Sequence, residues 1–299
     1  MSFQRLGALA TLTVVASGAA LASCGGSGPE RSANRDARAS KTSAPPRTWT
    51  EGYPNSIAVL GHSGATGEGS DPDQPGVEVR ENSWATGSNP QVNSLYLRIL
   101  DHNPAIKDHN ENYAEAGADV GALAGQADRL LDSDAKADLI VIQIMDNDLT
   151  CPVDRDALSG FGKQLTATLK KLAHGAPNSS QFVVSQIGGV DTYAKTLTRE
   201  ERASQGGTGP CDFMTPTGSV PLEKVVRAEK AIHAYDAALK AACSKVRQCT
   251  YDGGAFGRVV ERREYFGPDL NHWAIAGHTK AAAVAWAALR RAHVVPKAH

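Results

Sequence analysis

Ile57-Ala58-Val59-Leu60-Gly61-His62-Ser63-Gly64-Ala65-Thr66-Gly67 sets four consecutive apolar residues directly before a glycine-punctuated turn. An apolar run with no polar alternation reads as a strand covered on both faces, as in a parallel sheet, and the glycines mark the turn that ends it. That turn presents a serine, Ser63. A serine hydroxyl is a poor nucleophile until an imidazole takes its proton, and the imidazole works best when a carboxylate fixes its tautomer. Near the other end of the chain, Asp269-Leu270-Asn271-His272 supplies both groups.

Outward from this strand, apolar β-rich runs alternate with helical patterns, which predicts an α/β fold with helices on both faces of a mainly parallel sheet. Strands are expected at residues 56–61, 112–114, 138–145, 181–187 and 250–251, the clearest being Asp138-Leu139-Ile140-Val141-Ile142-Gln143-Ile144-Met145. Helices are expected at residues 91–100, 120–131, 155–173, 222–242 and 274–291. In the third, Leu158, Phe161, Leu165, Leu169 and Leu172 share one face. The stripe Leu222, Val225, Val226, Ile232, Tyr235 and Leu239 in the fourth reads as core, and the last turns Ile275, Trp286 and Leu289 inward. Residues 64–90 and 188–217 lack periodicity. They read as long irregular loops, and in an open α/β sheet such loops grip the substrate beyond the carboxyl ends of the strands.

A chain of 299 residues with a net charge of −1 fits one sizeable domain plus appendages and gives no basic excess for nucleic-acid binding. Residues 1–23 have the layout of an export signal, with Arg5 ahead of an apolar stretch. Leu21-Ala22-Ser23-Cys24 before Gly25-Gly26 resembles a bacterial lipobox, so Cys24 is the expected lipidation site; ordinary cleavage after Ala22 is the alternative. Residues 24–50 are rich in Gly, Ser, Ala, Pro and basic residues and read as a flexible tether, leaving 51–299 as the catalytic domain. The expected location is the outer face of a bacterial cytoplasmic membrane, held by the lipid anchor, or the secreted fraction. A monomer is expected. Cys151, Cys211, Cys243 and Cys249 remain, and in an exported chain an even set favours disulfides. Of three pairings, Cys243–Cys249 as a local clip and Cys151–Cys211 as a loop staple are expected. The nine histidines show no HExxH pattern, and no zinc spacing occurs, so no metal is expected.

Taken together, these motifs resemble the SGNH/GDSL hydrolase family, whose four short blocks have counterparts here in the right order. The first is Gly61-His62-Ser63, with His62 where the family carries aspartate. The second, Asn112-Tyr113-Ala114-Glu115-Ala116-Gly117, offers Gly117 as an oxyanion-hole donor. The third, Met145-Asp146-Asn147-Asp148, offers Asn147 in the same role and lacks the family's leading glycine. The fourth is Asp269-Leu270-Asn271-His272 before a terminal helix. The resemblance implies a three-layer α/β/α sandwich with a short, mainly parallel five-stranded sheet, flavodoxin-like in layout. It also implies a serine esterase that forms an acyl-enzyme. In that reading Ser63 attacks an ester carbonyl, His272 is the base and Asp269 orients it. The oxyanion is held by the Ser63 and Gly117 backbone N–H groups and the Asn147 amide. No cofactor is needed, and the partner is a small-molecule or envelope ester. His62 is expected to support the site from behind or face solvent, and Asp148 to bond locally.

Other readings compete. Gly61, Gly64 and Gly67 after a strand also suit a dinucleotide turn, but Asp71-Pro72-Asp73-Gln74-Pro75 follows in place of a helix. An α/β-hydrolase nucleophile elbow would need several strands upstream of the serine. A lipid-anchored binding protein that kept the scaffold and lost turnover is the alternative from a different class, since two of the four blocks deviate.

Overall fold

The computed structural model describes residues 49–134, 137–186, 188–209 and 211–297. The expected export signal, Cys24 and all but the last two residues of the tether lie outside the described residues. Trp49 is buried in the core, and Thr50 pairs with Tyr53.

The described residues form five strands: β1 (Ile57–Gly61), β2 (Asn110–Asn112), β3 (Leu139–Gln143), β4 (Ser180–Val183) and β5 (Cys249–Tyr251). All pair in parallel in the order β2-β1-β3-β4-β5. Among the described residues seven α-helices accompany them: α1 (Leu95–Leu100), α2 (Val120–Asp132), α3 (Arg155–Gly175), α4 (Val190–Thr196), α5 (Arg199–Gln205), α6 (Leu222–Cys243) and α7 (Ile275–Arg291). The expected α/β fold and five-stranded sheet are what the chain forms.

Successive strand residues point to opposite faces, so each apolar run feeds two cores at once. Ile57, Val59, Leu139, Val141 and Phe182 pack on one side with Leu95 and Ile99 of α1 and Trp286 and Leu289 of α7. Ala58, Leu60, Ile140, Ile142 and Val183 pack on the other with α2, α3 and α6, through Leu123, Leu130, Phe161, Leu165, Leu169, Tyr235 and Leu239. This double covering explains why β1 and residues 139–142 of β3 show no polar alternation. It also makes three layers.

Two expectations are corrected. Leu222 and Val226 are exposed: four residues apart, they share a face of α6 with exposed Lys230, while Val225 and Ala228 beside them in the sequence turn the other way and are buried. Residues 188–217 are not irregular throughout, since they hold α4 and α5. Each has only seven residues, too few for a hydrophobic period to register. The start of α5 is nonetheless written in the sequence as a capping box: Thr198 accepts the Glu201 N–H at 3.2 Å, and Glu201 Oε2 accepts the Thr198 N–H at 2.8 Å.

Both expected disulfides are formed. Cys243–Cys249 closes the end of α6 onto β5, and Cys151–Cys211 joins the segment after β3 to the segment after α5. Among the described residues no helix is long and apolar enough to cross a membrane.

Candidate active site

β1 and β3 are adjacent, and the sheet order reverses direction of growth between them, the position where open α/β sheets hold their ligands. Gly61 at the end of β1 has φ +145°, and a Cβ there would lie 1.8 Å from the Gln143 carbonyl oxygen of β3. Only glycine lets the chain turn this close to its neighbour. Its N–H and C=O are both taken by the buried amide of Gln126, at 2.7 and 2.8 Å. Immediately beyond, Ser63 opens a short 3₁₀ turn, Ser63–Ala65, and is half-buried.

His62 is buried, not solvent-facing. Its Nδ1 accepts the Gly64 N–H at 3.0 Å and so caps the turn that carries Ser63, while its Nε2 lies 3.6 Å from Asp146 Oδ2. An acceptor Nδ1 fixes the proton on Nε2. Burial lowers the His62 pKa and His272 lowers it further, against an opposing pull from Asp146. His62 is therefore a neutral support beneath the serine turn.

Asp269 and His272 form a compact unit at the C-terminal side. Asp269 Oδ2 sits 2.7 Å from His272 Nδ1, and Oδ1 accepts the His272 and Asn271 backbone N–H groups at 3.0 Å each. This carboxylate therefore holds both the ring and the backbone beneath it, leaving Nε2 as the basic nitrogen. Burial would lower the His272 pKa, but the Asp269 hydrogen bond and the charges of Glu68, Asp269 and Asp146 outweigh it, and the net shift is upward. Burial would raise the Asp269 pKa, but the bonds from His272 and Asn271 win and lower it.

Asn147 lies in the 3₁₀ turn Asp146–Asp148 directly after β3. One N–H of its amide donates to the Ala118 carbonyl at 2.9 Å. Met145, standing where the resembled motif has glycine, takes φ +145°, a conformation that side-chain-bearing residues rarely adopt. Asp148 reaches across to the N-terminus of α2, where both its oxygens accept the Val120 N–H at 3.1 Å. Burial pushes its pKa up to about 6. Its partner is 28 residues away, so its role is tertiary and not local.

Ser63, Asn147 and His272 line one cavity of about 500 Å³, together with His62, Asp146 and Glu261. Val190, Phe213, Met214 and Ile232 give it apolar walls. Asp269 stands behind His272, outside the lining. Gly117 is exposed and is also not among the lining residues. Among the described residues no group of three or more His, Cys, Asp and Glu side chains is arranged to hold a metal.

Three residues of the site carry no sequence motif. Tyr193 of α4 donates its hydroxyl to the Leu270 carbonyl, and Gln205 at the end of α5 donates to the Asp269 carbonyl at 3.1 Å. Glu68, five residues after Ser63, lies beside the His272 ring. The capping box of α5 was the available signal for the element holding Gln205; nothing in the sequence marked Tyr193 or Glu68.

No family model and no curated protein matches the chain. Solved structures do. A family 3 carbohydrate esterase of Clostridium thermocellum matches with TM-score 0.45 at 13% identity over 80% of this chain and 96% of that one. An acetylxylan esterase of Geobacillus stearothermophilus matches with TM-score 0.43 at 13% identity, covering 80% and 93%. A protein of Parabacteroides merdae described as a GDSL-like lipase matches with TM-score 0.45 at 14% identity, covering 78% and 94%.

Proposed function

We propose that this chain is an exported serine esterase that cleaves carboxylic esters through an acyl-enzyme. The observation that carries the reading is the shared cavity: Ser63, from the end of β1, and His272, with Nδ1 bound to Asp269, line the same 500 Å³ space although 209 positions separate them.

In the proposed mechanism His272 Nε2 takes the Ser63 proton as Oγ bonds to the ester carbonyl carbon and the carbonyl π pair moves onto oxygen. Asp269 keeps Nδ1 protonated and offsets the positive charge that develops on the ring. The oxyanion is met by the Ser63 backbone N–H and by the second N–H of the Asn147 amide, fixed dipoles that need little reorganisation. Gly117 is a further proposed donor. Collapse expels the alcohol, protonated by His272, and water then attacks the acyl-enzyme with His272 again as base. The apolar walls suit an acyl chain. Cys24 is proposed as the lipid attachment that keeps the domain at the outer membrane face, with residues 24–50 as its tether, and the two disulfides suit an oxidising compartment.

The test uses the purified protein and short-chain p-nitrophenyl esters. Turnover is expected for the wild type, Ser63→Ala should abolish it with the melting curve unchanged, and Asn147→Ala should lose roughly 100- to 1,000-fold in kcat. A wild type that is inert and is not labelled by a serine-directed fluorophosphonate would instead favour the binding protein that kept the scaffold.

A further inference from the structure

The His272 ring has a carboxylate on each side. Asp269 Oδ2 takes Nδ1 at 2.7 Å, and Glu68 Oε2 lies 3.5 Å from Nε2, the nitrogen assigned the catalytic proton. Glu68 arrives there by construction. The turn that displays Ser63 continues through Thr66, whose hydroxyl donates to the Ser63 carbonyl at 3.0 Å and accepts the Glu68 N–H at 3.2 Å. The next residue, Gly69, has φ +69°, and a Cβ on it would fall 2.8 Å from His272 Cβ and 3.2 Å from Asp269 Oδ2. Backbone therefore presses directly on the Asp269–His272 unit and fixes where the Glu68 side chain starts. The two side chains are only 16% and 17% exposed, so their attraction is little screened by water.

We propose that Glu68 is a positioning residue for the base: its carboxylate steadies the Nε2 edge of the His272 ring and stabilises the imidazolium formed when Ser63 gives up its proton. The inference rests on the esterase reading. In acylation the Ser63 O–H bond breaks as Nε2–H forms and Oγ–C forms; the same proton leaves Nε2 for the departing alkoxide. Glu68 acts on this sequence by raising the proton affinity of Nε2, and it exchanges no proton itself. At low pH it has the opposite effect on rate, because it holds the ring in the protonated form that cannot act as a base.

The groups facing the ring decide the sign. Asp269 and Asn271 come from its own turn, Glu68 from the turn after β1, Asp146 from the turn after β3, His62 from the end of β1, and His278 from α7. Both other imidazoles are buried with lowered pKa values, that of His278 to about 3, so neither adds positive charge near neutrality. The carboxylates prevail, in keeping with the upward shift of His272.

The experiment follows the His272 imidazole by NMR titration of the full chain, alongside pH profiles of kcat/KM for p-nitrophenyl acetate, in wild type, Glu68→Gln and Glu68→Asp. In Glu68→Gln the titration midpoint and the acid limb of kcat/KM should move down together, on the order of one pH unit. The alkaline kcat should fall, because a weaker base drives the transfer less. Glu68→Asp, which keeps the charge on a shorter arm, should shift both in the same direction by less, and it serves as the readout if the glutamine variant does not fold. Midpoints that coincide in all three proteins overturn the proposal. A wild type with no esterase activity would sink the esterase reading instead, while the NMR midpoints would still decide whether Glu68 sets the charge on His272.

Discussion

Tyr193 donates its hydroxyl to the carbonyl of Leu270, the residue between Asp269 and Asn271 in the turn that carries His272. Leu270 has φ +59°, so the turn is held in a conformation costly for a residue with a side chain, and the phenol is one of the groups that holds it. The ring of Tyr193 packs edge-on against Phe266, which pairs with Trp273 across the base of the same turn. A short helix that looked like loop in the sequence thus sets the position of the proposed base.

Tyr193→Phe should therefore uncouple activity from stability. The aromatic packing stays and one hydrogen bond goes, which costs about 1 kcal/mol of folding free energy. Loss of ring placement should lower kcat roughly tenfold or more, since small misplacements of a catalytic group are expensive. Parallel urea unfolding and steady-state kinetics would check this; an unchanged kcat would show that Asp269 and Gln205 suffice to hold the turn.

The legible part of this protein was the part repeated in its chemistry. Residues 139–142 of β3 are apolar at every position because both faces are covered, and the long helices α3 and α6 show a period because each spans at least 21 residues. Ser63, Asn147, Asp269 and His272 could be singled out because short motifs surround them. Tyr193, Gln205 and Glu68 could not. Their roles come from tertiary placement by seven-residue helices and a glycine turn, and a residue's distance across the fold leaves no periodic trace. Leu222 and Val226 misled for a different reason: they are apolar but sit off the helix face shared by Val225, Ala228, Tyr235 and Leu239, and an apolar side chain on the outer face of a helix stays exposed.

Cys151–Cys211 should matter more than Cys243–Cys249. The first closes a loop of 60 residues and the second one of 6, so on the chain-entropy model their removal costs about 4 and about 2 kcal/mol respectively. Cys211 also lines the cavity, so Cys151→Ser/Cys211→Ser should raise KM as well as lower the melting temperature. Paired serine variants of each bridge, compared by urea unfolding and by KM, would test the ranking.

Gly61→Ala should be among the most damaging single-methyl additions to the chain. The new Cβ would meet the Gln143 carbonyl oxygen at 1.8 Å on a backbone with φ +145°, so β1 and β3 must separate or the serine turn must rebuild. The cost is several kcal/mol, about the limit of what a domain of marginal stability withstands. Loss of soluble protein, or a melting temperature lower by tens of degrees, is the expected result. A well-folded Gly61→Ala with wild-type activity would mean that the turn after β1 is far softer than its contacts require.

Glu261 should make the protein less stable as the solution becomes alkaline. Burial, and secondarily the Asp146 carboxylate, pushes its pKa from 4.5 up to about 8, and its Oε2 is buried without a hydrogen-bond partner. Between those two values the folded state keeps a proton that the unfolded state has released. Stability therefore falls as pH rises from about 4.5 to about 8, and this contribution levels off above. Asp148 and Asp236, each raised to about 6, add the same sign over a lower window and are present in any variant at position 261. Glu261→Gln keeps the neutral shape and cannot ionise, so its advantage over the wild type should be small near pH 5 and grow through pH 9. Urea unfolding of both proteins across this range reads the difference directly. Two stability profiles that run parallel would mean that Glu261 is already ionised in the folded protein, with a donor or solvent path supplying what the buried oxygen lacks.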